Sequence, residues 1–326
     1  MDLMMMNLNK SYKNIKVKLH FRSSVHFGKG MLATSDHTFT ADTLFSALFQ
    51  QAIHSIGVIS ADQLLDDAKE RSFVMSDAFP FFGDAFFIPK PIVHIQSKKQ
   101  GDSVDKKAFK KMNYIRERQL VKFFEGNINP HSEGALLNNI GEYHVREQVR
   151  IPRGSRAIEN PDPYNVGLFK FAPQAGLYID LQFKDDYNIE PVLQLIEYIG
   201  YVGIGGKRSN GMGQFCIEVN ESASEIDKTT EALIAQTIWL MLSGGFPNEN
   251  EEINMEAAEF AVEKRTGFVA SDSYSEHPLR KRDFVLFKSG SCFREPFWGD
   301  VFDVGGRGTH PVYRYAVPYW REVSYV

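Results

Sequence analysis

From Tyr201 to Phe215 the sequence reads YVGIGGKRSNGMGQF, and the order of elements around this stretch decides the fold. Gly203, Gly205, Gly206, Gly211 and Gly213 permit positive φ and a close approach of the backbone to a ligand. Bare N–H groups in such a loop can face phosphate oxygens as an anion nest. Lys207 and Arg208 add charge at the tip, and Ser209 and Asn210 add small hydrogen-bonding groups. The combination suits a nucleic-acid backbone; the plain alternative is a tight turn. A dinucleotide fingerprint follows a strand and opens a helix. This loop follows a helix and enters a strand, which excludes that reading, and it lacks the Lys-Ser/Thr ending of a P-loop in the right context.

The helix before the loop is read from Val192, Leu195, Ile196 and Ile199, with Pro191 suited to its first turn and Gly200 to its stop. Leu177, Ile179, Leu181 and Phe183 alternate as a strand before it, and a strand from about Met212 to Val219 follows the loop. Near the start, Ile15, Val17, Leu19 and Phe21 alternate with Lys16, Lys18, His20 and Arg22. One face is apolar; the basic one reads as a solvated sheet surface or as a contact face. Ala41, Leu44, Phe45, Leu48, Phe49, Ala52, Ile53 and Ile56 recur at helical spacing. Thr40 is the expected cap, Asp42 the first-turn anion and Gly57 the stop. Apolar runs near Phe73 and from Phe86 to Ile95 follow, the second marked as an edge by Pro89 and Pro91. Strand, helix, strand, strand, helix, strand is the ferredoxin-like (RRM-like), split βαβ order of an α+β fold.

That unit is expected over residues 1–220, interrupted at about 97–165. There the periodicity weakens and basic residues collect: Lys98, Lys99, Lys106, Lys107, Lys110 and Lys111, then Arg146, Arg150, Arg153 and Arg156. A segment of this length without a clear apolar face reads as an insertion outside the core. Glu221 to Thr230 is acidic and serine-bearing, a linker. A second ferredoxin-like unit is expected over 231–326. Its cues are a strand around Ile238 to Leu242, a helix around Met255 to Val262, and strands around Phe284 to Phe287 and Val312 to Val317.

The chain has 326 residues, 43% of them hydrophobic and 13% aromatic, enough to fill real cores. Its formal charge of −4 means that any nucleic-acid surface must concentrate its basic groups locally. Cys216 and Cys292 have no metal-ligand spacing, and so sparse a usage fits a reduced, cytoplasmic setting. The start is too short and polar for a secretory signal, and no run approaches a membrane span.

Acid–base chemistry on RNA needs a base for a 2′-hydroxyl and a donor for the leaving oxygen. His20, His26 and Lys29 are the candidates, and a histidine beside a glycine turn equally suits binding without reaction. Asp36, in a loop, is the candidate for target-RNA cleavage by an aspartate; the plainer reading makes Asp36 a turn residue and Asp42 a helix-start residue. Gly305, Gly306 and Gly308 around Arg307 form a second cluster, read as a backbone contact or a subunit-facing turn. The aromatics Phe293, Phe297, Trp298, Tyr313, Tyr315, Tyr319 and Trp320 fit a core, an interface or base stacking. No HExxH, GxSxG, zinc spacing or carboxylate cluster appears.

The loop resembles the glycine-rich loop of the RAMP superfamily of CRISPR proteins. HFGKG at His26 to Gly30, FTADTLFSAL at Phe39 to Leu48, FFGD at Phe81 to Asp84 and HPVYRY at His310 to Tyr315 narrow the resemblance. Together they are similar to the fourth Csm subunit of type III-A effector complexes. The resemblance implies a non-catalytic, Cas5-like end cap that holds the repeat-derived 5′ handle of the CRISPR RNA. It also implies docking to the large polymerase-type subunit and to a backbone RAMP subunit, and a thumb-like role for the basic insertion. Its rival is a metal-independent RAMP endoribonuclease of repeat RNA. The expected RNA-binding set is His20, Arg22, His26, Gly28, Lys29, Gly30, Arg150 and Arg153, with Gly203, Gly205, Gly206, Lys207, Arg208, Ser209, Asn210, Gly211 and Gly213. No catalytic residue, cofactor or metal is expected.

Overall fold

A computed structural model describes residues 12–95, 103–150, 162–221, 236–256, 258–271 and 273–325. The first strand, β1 (Tyr12–Phe21), leads through the short hairpin β2 (Phe27–Lys29) and β3 (Met31–Asp36) into helices α1 (Ala41–His54) and α2 (Ala61–Lys69). Strands β4 (Phe73–Met75), β5 (Phe79–Phe82) and β6 (Ala85–Pro89) follow. The inserted segment holds α3 (Ser103–Lys111), β7 (Tyr114–Arg116), a 3-10 turn (Glu117–Gln119), α4 (Leu120–Phe124) and α5 (Pro130–Leu137). It ends in a long ribbon of β8 (Gly141–Arg150) and β9 (Asp162–Phe171), and β10 (Ala175–Lys184), α6 (Glu190–Val202) and β11 (Phe215–Glu221) complete the unit.

The main sheet runs β11-β1-β10-β5-β6-β7, with β4 also on β10. β1 is antiparallel to both neighbours, with Val17 opposite Ile179 on β10 and Val219 on β11. Ile15, Val17 and Leu19 are buried, as their alternation requires, and so are Leu177, Ile179 and Leu181. Each such side chain contributes about 1.5–3 kcal/mol of apolar burial. The stripes of α1 and α6 are buried too, at Leu44, Phe45, Leu48 and Ala52 and at Val192, Leu195, Ile196 and Ile199. Ile56 is exposed because α1 stops at His54, and Ile53, in the last turn of the helix, is exposed as well.

The cap of α1 differs from expectation. Thr40 occupies the N-cap position, but its side chain takes no helix N–H; its Oγ1 accepts from Arg265 Nη2 at 2.7 Å and lies 3.2 Å from Thr43 Oγ1. The Ala41 N–H donates instead to Asp77 Oδ1, 2.8 Å away. Asp42 does sit in the first turn, where its carboxylate meets Arg314 Nη1 at 2.5 Å and Arg265 Nη2 at 3.5 Å.

The basic face of β1 is neither solvated nor open to a ligand at Lys16. Lys16 is 8% exposed. Its Nζ lies 2.8 Å from Asp180 Oδ1 and 3.3 Å from Glu117 Oε2, and 4.0 Å from the centre of the Tyr178 ring. Arg321, from the last strand, closes the cluster at 2.6 Å from Glu117 Oε1 and 3.1 Å from Asp180 Oδ2. Burial alone would raise the Glu117 carboxyl, but Arg321 and Lys16 outweigh it and hold it below the ordinary range.

The inserted segment is also more of a core element than its sequence suggests. Met112, Ile115, Leu120, Phe123, Phe124 and Ile140 are buried in the same cluster as β1 and β10. Leu120, Phe123 and Phe124 sit on the five-residue α4 and Ile115 on the three-residue β7, while Met112 and Ile140 lie between elements, all stretches too short for a period to register.

After residue 235 come β12 (Gln236–Met241), β13 (Val262–Arg265), β14 (Phe284–Phe287), β15 (Cys292–Phe293), β16 (Asp300–Asp303), β17 (Tyr313–Ala316) and β18 (Trp320–Tyr325). They form a sheet in the order β15-β12-β18 and the pairs β13-β14 and β16-β17. The helix expected around Met255 to Val262 is absent from the described residues there. Glu259 instead exchanges backbone hydrogen bonds of 2.9 and 2.8 Å with Cys292, and Phe260 packs on Phe287 and Phe293. Tertiary pairing overrides a weak local periodicity. The described part of this region holds strands and no helix, so the helix-bearing second ferredoxin-like unit is not reproduced in it. Ile238, Leu240, Val301, Tyr315, Val317, Tyr319 and Val323 enter the main core, while Phe293, Phe297 and Trp320 form a satellite cluster with Met241 and Phe287. These terminal aromatics are therefore core.

The buried charges make stability testable at two positions. Asp180→Ala leaves Lys16 and Arg321 sharing one carboxylate, and urea unfolding should register a loss of roughly 3–5 kcal/mol. A loss below about 1 kcal/mol would show that the cluster is solvated. Burial raises the Asp77 carboxyl to about 6 from 3.8. The folded state thus holds this proton to higher pH than the unfolded chain does. Its stabilising contribution is full below 3.8 and is lost as pH rises through about 6. Asp77→Asn keeps an acceptor for the Ala41 N–H but cannot ionise. Its stability relative to the parent should rise by on the order of 2 kcal/mol between about pH 4.5 and 7.5. A difference that does not move with pH contradicts this.

Candidate nucleic-acid interface

α6 ends at Gly203, whose φ of +90° no ordinary L-residue adopts readily, and its N–H donates to Ile199 O at 2.7 Å. The chain then folds on itself. Ile204 is buried and its N–H donates to Gly213 O at 3.0 Å, closing the loop. The closed loop lies on the turn after β1. Gly206 N–H donates to His26 O at 2.8 Å and Gly213 N–H to Ser24 O at 3.0 Å.

This packing, not a ligand, accounts for most of the glycines. A Cβ at Gly205 would stand 2.8 Å from His26 O and from the Phe27 ring, and one at Gly206 would stand 2.7 Å from His26 Cδ2. Those at Gly203 and Gly213 would meet carbonyl oxygens of the loop itself at 2.4 and 2.1 Å. Gly211 differs, with open space around it and a φ of +77°. The N–H groups of Gly203, Gly206, Gly211 and Gly213 are all taken by backbone carbonyls, so they cannot form the expected phosphate nest. The N–H groups of Gly205, Lys207, Arg208 and Ser209 have no acceptor among the described residues. Lys207 is left-handed at φ 60°, and a 3-10 turn over Arg208–Asn210 follows. A left-handed residue beside right-handed ones turns consecutive N–H groups to one side. The consecutive N–H groups left without an acceptor are therefore those of Lys207, Arg208 and Ser209. Holding Lys207 left-handed costs about 1–2 kcal/mol, strain that the closed loop sustains. Arg208, Ser209 and Asn210 are exposed.

The turn beneath the loop supplies the second wall. His26 is buried and donates from Nδ1 to Gly167 O on β9 at 2.7 Å. It works as a strut between the turn, the loop and the ribbon. Gly28 and Lys29 form a bulge in the β2–β3 hairpin, and Gly30 has a φ of +90°. Lys29 Nζ lies 3.2 Å from Asp36 Oδ2, an exposed pair of small energetic weight. Asp36 Oδ1 accepts the His37 N–H, a turn-residue role. Arg22 is exposed, and its N–H donates to Gln214 O, joining turn and loop.

The structure thus joins Arg22 and His26 to the loop from Gly203 to Gly213, while Gly28, Lys29 and Gly30 continue from that turn into the β2–β3 hairpin. It does not bring His20 there. His20 lies on the sheet with Nε2 3.1 Å from Glu218 Oε2 and its ring edge-on to Phe81. Hydrogen bonds from Asn220, then from His20 and Lys18, pull the Glu218 carboxyl down to about 2. Arg150 ends β8 opposite Asp162; its side chain, like the whole of Arg153, lies outside the described residues. Sequence reading missed Tyr164 and Gly167. Lys207 Nζ sits 5.1 Å from the centre of the Tyr164 ring, a cation–π contact that ties the loop tip to the ribbon. The alternation of Val166 and Leu168 around Gly167 was the available signal, but it lay past the assumed insertion. The second glycine cluster is structural: Gly306 N–H donates to Tyr274 Oη at 2.6 Å, and a Cβ at Gly308 would stand 2.1 Å from that ring.

Among the described residues, no helix is long and apolar enough to cross a membrane, and no group of three or more His, Cys, Asp or Glu is placed to hold a metal ion.

Residues 235–323 match the family described as CRISPR Csm4 C-terminal domain. A protein of Mycobacterium tuberculosis (strain CDC 1551 / Oshkosh) named "CRISPR system Cms protein Csm4" is 34% identical over 295 residues, spanning 90% of this chain and 92% of its own. One of that name from Streptococcus thermophilus is 30% identical over 298 residues, spanning 90% and 94%. Among solved structures, a Csm3-Csm4 subcomplex in the type III-A CRISPR-Cas interference complex is similar with a TM-score of 0.61, 18% identity and coverage of 94% of this chain and 98% of that one. A Csm1-Csm4 cassette in complex with cA4 gives 0.58, 17%, 94% and 96%. These two likenesses concern the fold. The sequence identity across nine-tenths of the length carries the assignment: the chain belongs to the Csm4 family.

Proposed function

We propose that this chain is a non-catalytic RNA-binding subunit of a type III-A Csm complex, holding the 5′ handle of the CRISPR RNA. The reading extends to its neighbours, a Csm1-like large polymerase-type subunit and a Csm3-like backbone RAMP subunit, the partners named for its structural neighbours. The strand order β11-β1-β10-β5 supports a ferredoxin-like (RRM-like) first unit of RAMP type. In this reading the β8–β9 ribbon serves as the thumb, and the two units divide at the expected linker Glu221 to Thr230, which beyond Glu221 lies outside the described residues.

The observation that carries the proposal is the tip of the glycine-rich loop. Three consecutive N–H groups without acceptors lie beside two cations, one held against Tyr164. That is the chemistry of a phosphate contact, with an aromatic ring next to it for a base. The nuclease rival needs two acid–base groups around one phosphate. The groups that sequence offered are engaged elsewhere: His20 with Glu218, Lys29 with Asp36, and His26 Nδ1 with Gly167.

The replacement Lys207→Ala with Arg208→Ala should weaken binding of repeat-derived RNA. It should also flatten the plot of log K against log salt by roughly 0.7 for each phosphate that is no longer neutralised. An unchanged slope rejects the assignment. Labelled repeat RNA incubated with the pure protein, with and without magnesium, should stay intact. Cleavage that disappears in His26→Ala would favour the nuclease.

A further inference from the structure

A cavity of about 640 Å³ lies between α3, α5 and the root of the β8–β9 ribbon. We propose that it receives one unpaired nucleotide of the bound RNA, an inference that rests on the RNA-binding reading above. Its size is within the range of small-molecule sites, about 300–1,000 Å³. One wall is aromatic: the Tyr143 and Phe169 rings meet edge to face at 4.7 Å, and His37 lies 5.4 Å from Phe169. Asn113 and Asn138 bring amides able to donate and accept, which suits the edge of a base. Lys111, exposed at the end of α3, brings a cation for the phosphate.

The polar groups of the aromatic wall are set for recognition of a neutral base. His37 Nδ1 is in hydrogen-bond contact with Tyr143 Oη at 2.7 Å, which leaves Nε2 for a ligand. Burial lowers the His37 imidazole, and Asp36 only partly opposes this, so the ring is neutral at ordinary pH. The Tyr143 phenol, pushed up to about 12, keeps its proton.

The cavity is also tied to the loop site by shared elements. His37 follows β3, whose backbone at Ala33 packs on Gly167, the residue that accepts from His26. Phe169 lies on the same strand as Tyr164, five residues away, or about 17 Å along an extended strand. Residues five apart face opposite sides of a strand, so an RNA held at Lys207 and Tyr164 would have to cross an edge of the ribbon to enter the cavity. A greasy ligand fits poorly, since the amides and Lys111 would lose water without gaining partners.

Gly134 of α5 gives a direct test. It lines the cavity, and a Cβ there meets nothing within 4 Å. Gly134→Phe places a ring at the lining of the cavity from a Cβ position that has room. Lys111→Ala, at an exposed position, is the second variant should the first not fold. The full-length protein is mixed with single-stranded repeat-derived RNA carrying 2-aminopurine at one position at a time. Anisotropy reads binding and fluorescence reads the environment of the base. One position is expected to change its fluorescence on binding. Gly134→Phe should abolish that change and weaken binding roughly 5- to 100-fold, the range for removal of one base stack, and Lys111→Ala should diminish both. RNA that binds with no position-specific change, or with one that survives both variants, overturns the cavity proposal and leaves the loop reading intact. An RNA that fails to bind at all overturns both.

Discussion

The contact between the glycine-rich loop and His26 sets the geometry of this surface. Gly205 and Gly206 rest on the backbone and ring of His26 and Phe27 with no room for a Cβ. That approach lets Gly206 bond to His26 O and Gly213 to Ser24 O. His26 in turn reaches Gly167, so one buried imidazole fixes the loop, the turn and the ribbon relative to one another. Functional groups presented on such a braced surface are pre-organised, and binding then costs little ordering entropy. The glycines of the loop serve this bracing, and the N–H groups of its tip, Lys207 to Ser209, are left without acceptors among the described residues.

Behind that surface, two charge clusters hold the regions of the chain together. Lys16, Asp180, Glu117 and Arg321 come from β1, β10, the inserted segment and the last strand. Asp42 joins α1 to Arg314 on β17 and Arg265 on β13. Buried ion pairs add modest net stability because desolvation offsets their attraction, yet an unpaired member is costly. They therefore act as registry devices, penalising any packing of the strands after residue 235 that leaves a charge alone. The shared hydrophobic core supplies the bulk of the cohesion.

Sequence made the local order legible and the long-range partners illegible. β1, α1, α6 and β10 were read from periodicity because each runs ten residues or more with a buried face. The loop was found from its glycines and its place between helix and strand. The reason for those glycines was not: a missing Cβ looks the same whether a phosphate or His26 occupies the space. Lys16 read as either solvated or a contact residue because its partners lie 101 and 164 residues away, at Glu117 and Asp180. Thr40 was read correctly as the N-cap residue of α1, but the side chain that takes a first-turn N–H is Asp77, which comes from a separate strand connection and carried no local signal. Tyr164, which meets Lys207, fell in a proline-rich stretch that carried no pattern.

The central claim is that RNA lies on the loop tip and the turn beneath it. The most direct measurement is to purify the protein with its bound partners from cells, irradiate the complex, sequence the RNA and map cross-linked peptides by mass spectrometry. The account predicts RNA with a uniform 5′ segment and cross-links in the peptides holding residues 203–213 and 22–30. Cross-links confined to other surfaces, or a complex that carries no RNA, would contradict it.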